Sequence, residues 1–160
     1  MALNYKELIA SLNKIVRQAN KNIKLMEQSS VTEQQKYPFG TYTVTSPYLN
    51  ARTYRNGNQD DSINQIIEIV VSYTFYSADM FEVTELLQNT LSNFKMTATK
   101  QTINESGIVI VGFSNIGNRD NFISIQAERR SGFDVRIRVR NIDTKPIEYI
   151  TDVEMDQADI

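Results

Sequence analysis

Five arginines crowd the stretch Arg129, Arg130, Arg136, Arg138 and Arg140. The last three alternate with apolar residues: Phe133, Val135, Ile137 and Val139 share one parity, and Asp134, Arg136, Arg138 and Arg140 share the other. Side chains alternate across a strand, so this pattern is a β-strand with one apolar face and one cationic face. Guanidiniums bind carboxylates and phosphates through forked, charge-assisted hydrogen bonds. Alternate residues lie ~6.6 Å apart along a strand, near the spacing of successive phosphates. Three readings follow. The stripe faces nucleic acid or an acidic partner. Or it is a solvated strand face with acidic cross-strand neighbours, for which Glu148, Asp152 and Glu154 are candidates. Or it pairs across a subunit interface, where arginine is enriched. A second cluster, Arg52, Tyr54 and Arg55, has the composition of a nucleic-acid contact, equally of a subunit contact, or of a merely solvated ribbon.

The remaining chemistry is sparse. The chain has no Cys and no His, which removes thiol nucleophiles, His-based triads and the common zinc sites. Carboxylates are left. Asp60-Asp61 fits a turn, where acidic residues are common. Glu82 and Glu85 fit the favourable dipole at a helix start. Asp152, Glu154 and Asp156 alternate and have the oxygen chemistry for a divalent cation, but a solvated edge strand explains them better. Gly112 to Gly117 lacks the spacing of a phosphate-binding loop. No catalytic residue, cofactor or metal site is therefore assigned. The net charge of -2 weighs against a generic nucleic-acid binder. No apolar run reaches the roughly 18 residues of a membrane helix, and the start opens no signal peptide, so folding in a cytoplasm and no membrane contact are expected.

The elements that must position these groups can be read in order. Asn4 and Glu7 form a capping pair, and Leu8, Ile9, Leu12, Ile15, Val16, Ala19 and Ile23 recur at helical spacing over about five turns. Glu27 to Lys36 reads as a polar loop. Thr41 to Thr45 reads as a strand that Ser46-Pro47 ends or edges. Tyr48 to Asp61, with Asn56-Gly57 at its tip, reads as a hairpin arm extending from the body. An isolated two-stranded ribbon is marginal in water, which favours a subunit contact for that arm. Ile63 to Tyr76 is the longest β-like run and reads as the central strand, paired antiparallel with Thr41 to Thr45. Asp79 and Glu82 cap a second helix, with Phe81, Val83, Leu86, Leu87, Leu91 and Phe94 as its stripe and its end near Asn93. Thr97 to Thr102 reads as a weak strand and Asn104 to Gly107 as a turn. Ile108 to Val111 is apolar on both parities and reads as a strand that is buried on both faces or lies under a helix. Asn115 to Asn121 reads as a loop and Phe122 to Glu128 as extended. Arg130-Ser131-Gly132 either turns the chain into the arginine strand or forms a bulge within one long strand. Ile147, Tyr149, Thr151, Val153 and Met155 alternate as a last strand.

The sum is an α+β fold: a mostly antiparallel β-sheet packed against two α-helices, with a protruding β-hairpin arm. A single domain over 1–160 is expected, divided as helix and loop 1–36, sheet 37–155 with crossing helix 79–93, and a fraying tail 156–160.

Two stretches carry a resemblance. Tyr37 to Val44 (Tyr-Pro-Phe-Gly-Thr-Tyr-Thr-Val) follows an N-terminal helix, and Arg129 to Val139 (Arg-Arg-Ser-Gly-Phe-Asp-Val-Arg-Ile-Arg-Val) lies near the end. In this order they resemble the neck or tail terminator (tail completion) proteins of tailed bacteriophages. The resemblance implies a non-enzymatic virion protein, assembled in the host cytoplasm and placed at the neck or tail. It implies a homo-oligomeric ring, usually a hexamer, that caps the tail tube and joins it to the head connector. Tail tube protein and connector or neck proteins would be its partners, and DNA would pass through the lumen without specific binding. Arg52, Tyr54, Arg55, Arg136, Arg138 and Arg140 are the candidate subunit-interface residues. The alternative is a nucleic-acid-binding regulatory module that uses the arginine face.

Overall fold

The computed structural model describes residues 3–21, 23–56, 60–121 and 127–146. Three helices lie on one face of a five-stranded sheet. The elements run α1 (Tyr5–Ala19), β1 (Lys24–Glu27), β2 (Phe39–Asn56), β3 (Asp60–Ser77), α2 (Met80–Lys95), α3 (Thr97–Glu105), β4 (Ile108–Asn118) and β5 (Arg129–Pro146), with a short 3-10 turn at Gln28–Ser30. The sheet order is β1-β2-β3-β5-β4, and every pairing is antiparallel except that of β1 with β2. The α+β class and the arm read from the sequence are both present.

The β3–β5 pair is the spine. Its register runs without a shift from Asp60↔Pro146 to Ser77↔Arg129. Because the period is two, one parity of both strands enters the core. Ile67, Ile69, Val71, Tyr73 and Phe75 of β3 and Phe133, Val135, Ile137 and Val139 of β5 are all buried. They pack with Leu8, Leu12 and Val16 of α1 and Val83, Leu87 and Phe94 of α2. Tyr73 and Phe133 stack at 5.5 Å, and Phe94 and Phe113 meet Phe133 edge-on at 5.9 Å. The one polar tip in this layer is satisfied: the buried Tyr73 hydroxyl donates to Asn13 Oδ1 at 2.8 Å. Burial raises the Tyr73 phenol far above its ordinary range.

Helix α1 starts where the capping residue predicts, with Asn4 Oδ1 accepting from the Glu7 N–H at 3.2 Å. It stops at Asn20, earlier than the apolar spacing implies. The Asn20 side chain leaves the helix register to donate to Thr90 Oγ1 at 2.7 Å, tying α1 to α2. Ile23 is buried, but as the lead into β1. That short strand was not legible in Lys-Leu-Met-Glu, because its partner β2 supplies the pairing. In α2 the buried residues Val83, Leu87, Thr90, Leu91 and Phe94 form the stripe. Phe81 is corrected out of it: two positions before Val83 it points about 200° away and is 69% exposed.

Three further stretches are decided by the structure. Thr97 to Thr102 is helical, in α3, not strand. Thr102 Oγ1 donates back to the Ala98 carbonyl at 3.0 Å, and Ile103 anchors the helix in the core. Gly107, at φ 78°, ends that segment in the left-handed region. Of the two readings of Ile108 to Val111, the strand under a helix is the one observed: β4 lies at the sheet edge with helices on one side, so Ile108 is buried while Val109 and Val111 are 50% and 44% exposed. Finally, Arg130-Ser131-Gly132 makes no turn, and β5 is continuous from Arg129 with no shift against β3 at Gly132.

The arm is built differently from a two-stranded ribbon. β2 and β3 form the hairpin, but β5 follows β3 to Pro146, so three strands support it. β2 is irregular within it: register shifts fall between Val44/Ser46, Ser46/Leu49 and Asn50/Arg52. Each shift adds an unpaired residue and local twist. The last-strand expectation at Ile147 to Met155, the tail 156–160, the Asn-Gly tip at Gly57 and most of Phe122 to Glu128 lie outside the described residues.

The parity assignment predicts a sharp contrast between neighbours on β5. Ile137→Ala should destabilise by about 2–5 kcal/mol through lost transfer energy and a cavity. Arg138→Ala, one residue on, should cost less than about 1 kcal/mol as an exposed ion-pair loss. Urea denaturation of both variants checks this, and equal effects would contradict the face assignment.

Candidate subunit interface

The face of the sheet opposite the helices carries the second parity. Successive cross-strand rows on β5, β3 and β2 are Arg136–Val70–Ser46, Arg138–Glu68–Leu49, Arg140–Ile66–Arg52 and Ile142–Asn64–Tyr54. The register thus brings Arg52, Tyr54, Arg136, Arg138 and Arg140 onto one surface. Arg55 is separated from them: it pairs opposite Ile63 and so belongs to the helix-side parity of the arm.

Glu68 organises the arginines. Its carboxylate accepts from Arg138 Nη2 at 2.6 Å and from Arg136 Nη1 at 3.3 Å. Glu68 is largely covered, with 12% of its side chain exposed, while Arg136 and Arg138 keep 50% and 46%. Arg140 donates from Nε to Asn64 Oδ1 at 3.0 Å, and Arg52 lies over the Tyr54 ring at 5.1 Å. One carboxylate therefore faces three guanidiniums on this part of β3 and β5. The acidic neighbours expected at Glu148, Asp152 and Glu154 lie outside the described residues; within them, Glu68 is a cross-strand acidic partner of the stripe. Its signal was present in the sequence: Glu68 is the acidic residue on the polar parity of the central strand.

The same face is closed at its other end by residues that composition did not mark. Arg119 reaches back over the sheet from just beyond β4. Its Nη1 donates to Ser72 Oγ at 2.7 Å and Thr74 Oγ1 at 2.9 Å, and its Nη2 to Asp134 Oδ1 at 3.0 Å. Asn115, at φ 50°, donates to the other Asp134 oxygen at 2.6 Å. Gly132 makes room for this clamp. A Cβ there would sit 2.2 Å from the Tyr73 carbonyl oxygen and 2.9 Å from Arg119 Cζ. Burial by itself would raise the Asp134 carboxyl, but hydrogen bonds from Asn115, Ser72 and Arg119 outweigh it and hold the group below the usual carboxylate range. Asp120 behaves alike: burial opposes its charge, while the Arg130 N–H, Asn118 and Arg129 lower it on balance.

Arg129 and Arg130 are likewise engaged. Arg129 pairs with Asp120 at 3.0 Å. Arg130 pairs with Glu128 at 2.7 Å and lies 5.1 Å over Tyr76, which stacks on Phe39 at 4.5 Å. Neither continues the free stripe. The carboxylates considered for chemistry stay apart. Glu82 accepts from Ser77, Asp79 Oδ1 accepts from the Phe81 N–H at 3.0 Å as a helix cap, and Glu85 is exposed. Among the described residues no group of three or more acidic side chains could hold a metal ion, and no helix is long and apolar enough to cross a membrane. Asp152, Glu154 and Asp156 lie outside that set.

The arm adds apolar exposure to this surface. Leu49, Tyr54 and Ile142 are 38%, 44% and 46% exposed. Asn141, on the helix-side parity, is buried and donates to Asp143 at 2.8 Å, and among the described residues its own Oδ1 has no hydrogen-bond partner. A surface of exposed aromatics and arginines fits a protein contact better than bulk solvent.

The family model described as phage neck terminator protein matches residues 10–159. No curated protein matches the chain. Among solved structures, a chain of the virion of a native gene transfer agent particle is similar over 84% of this chain and 92% of its own, with 10% identity and a TM-score of 0.37. A likeness at that score carries no argument.

Two outcomes test the clamp. Gly132→Ala should cost about 1–3 kcal/mol, because its neighbour is backbone and cannot rotate away. Asp120 and Asp134 hold lowered folded-state pKa values. Their contribution is complete above the unfolded carboxylate value of about 4 and is lost as pH falls through the lowered values. Thermal melts should therefore show Asp134→Asn less stable than the wild type at neutral pH, with the gap narrowing below pH ~4. A gap independent of pH would contradict the carboxylate's role.

Proposed function

Because the chain belongs to the phage neck terminator protein family, and is thus a structural protein of the virion neck, we propose that its copies close into a ring, six in number, through the bare sheet face and the arm. The ring caps the tail tube and joins it to the head connector. Its partners are the tail tube protein on one side and connector or neck proteins on the other, and assembly takes place in the host cytoplasm.

The observation that carries this reading is the arm together with the face it extends. Three long strands run past the helical layer and display Leu49, Tyr54 and Ile142 beside Arg52 and Arg140. Such a surface is complete only when something is docked on it. A heterologous contact between identical chains closes a ring when its rotation closes. Arg136 and Arg138 share Glu68, and among the described residues they retain donors without a partner, which a neighbour's carboxylates would complete.

The same chemistry accounts for a passage that does not hold its cargo. A net charge of -2 and an arginine stripe partly neutralised by Glu68 give weak, diffuse attraction to a polyanion, with no side chains arranged for base readout. DNA would slide through such a lumen. The runner-up role, regulation through DNA binding, needs tight binding that falls steeply with salt.

Negative-stain microscopy of the purified protein should show rings. Replacing Arg136 and Arg138 together with Ala should weaken assembly in sedimentation velocity, and a desolvated interfacial pair would lose on the order of 2–5 kcal/mol. The affinity for duplex DNA, measured on the same variant, should stay low and unchanged. Intact assembly with collapse of a formerly tight DNA complex would overturn the ring in favour of the regulatory role. Tyr54→Ser with Leu49→Ser should leave the fold intact by circular dichroism and shift the protein toward monomer; undiminished assembly would remove the arm from the interface.

A further inference from the structure

The sheet has edges of unequal character. β1 is four residues long and begins and ends on charges, Lys24 and Glu27. Distal β2 holds Pro47, three register shifts and two arginines. Both are blunted against pairing with another strand. β4 carries register shifts of its own between Ile110/Gly112 and Ser114/Gly117, but its residues Ile108–Asn118 include no charge and no proline. Val109, Val111 and Ile116 stand about half exposed along it, and among the described residues its one strand neighbour is β5. An uncharged, apolar edge of that length is a template for an added strand.

One segment of this chain has matching chemistry. Residues 147–160 hold Glu148, Asp152, Glu154, Asp156 and Asp159 and no Lys or Arg, and Tyr149, Thr151, Val153 and Met155 alternate among them. That is a β-type pattern with an acidic face. Next to β4 lie Arg136 and Arg138, with Glu68 between them. Gly112 stands in the row of Arg136, between it and the free edge, and open space surrounds the place of its missing side chain. A carboxylate on an added strand would reach Arg136 across that gap.

Chain geometry decides whose segment it is. β5 ends at Pro146, seven residues past Val139, and Val139 is the residue opposite Ile108 at the start of β4. A chain turning back at Pro146 would spend about 23 Å alongside β5 before reaching β4. Its alternating residues 147–155 would be largely used up on the way. A second copy has no such constraint. We infer that a neighbouring copy of this chain lays its acidic segment 147–155 along β4 as an added strand, its carboxylates toward the arginine stripe. This rests on the ring proposed above and supplies one of its contacts.

The chain has no cysteine, so engineered thiols report pairing cleanly. Val111→Cys protein is mixed, in separate reactions, with Tyr149→Cys, Thr151→Cys and Val153→Cys protein and oxidised. Gln88→Cys on the exposed face of α2 serves as control. At least one tail position should give a disulfide-linked heterodimer on a non-reducing gel, and the control none. The Val111→Cys/Thr151→Cys double variant should then give a ladder of linked chains. Disulfides only within one chain, or none from any tail position, would overturn the strand exchange. Rings of the wild-type protein seen by microscopy alongside that negative result would leave the ring standing without this contact. Cross-links without rings would do the reverse, keeping the strand exchange and removing the ring.

Discussion

Everything in this molecule depends on the unbroken ladder between β3 and β5. The pairing runs from Asp60↔Pro146 to Ser77↔Arg129 without a register shift, so parity is conserved from the arm to the core. A one-residue slip would send Arg136 and Arg138 under the helices and expose Val135, Ile137 and Val139. Burying unpaired charge costs far more than the sheet could recover, so hydrophobic burial on one face fixes the position of every charge on the other. The arm follows from the same ladder. Its strands continue the β3–β5 register past the last helix-covered row, and the third strand gives it a support that a lone hairpin lacks.

The bare face is then an electrostatic problem solved in two ways. At the β4 end, Arg119 is spent internally on Asp134, Ser72 and Thr74, over a glycine that leaves space for it. At the arm end, Glu68 is shared between Arg136 and Arg138, and Arg140 turns to a neutral Asn64. One end is closed and satisfied; the other is left cationic and ringed by exposed Tyr54, Leu49 and Ile142. That asymmetry is what a subunit needs if it is to dock one end of its sheet and keep the other fixed.

Much of this was legible in the chain because period and caps are local signals. Asn4 and Asp79 marked their helix starts, and the alternation in Phe133 to Arg140 marked its strand and both its faces. What failed was set by partners distant in sequence. β1 exists because β2 is there to pair with it, and α3 is helical despite its threonines because Ile103 finds the core. Ile108 to Val111 has the composition of a buried strand, yet sheet order makes it an edge. Of the interface candidates, register gathers Arg52, Tyr54, Arg136, Arg138 and Arg140 and sets Arg55 on the other side. Glu68 was visible as an acidic residue but not as a partner, because that needed the register. Arg119 carried no signal at all in a polar Gly/Asn stretch.

If copies of this chain meet through the bare sheet face, the seam between them must run over that face and not over the helices. A reconstruction of the purified assembly by electron cryomicroscopy measures this directly. The expected map places Arg136, Arg138 and the arm residues Tyr54 and Leu49 within contact distance of the next subunit, with α1 and α2 outside the seam. A map in which the helices form the seam, while the arginine face and the arm stand free in solvent, would contradict the docking role given to that face.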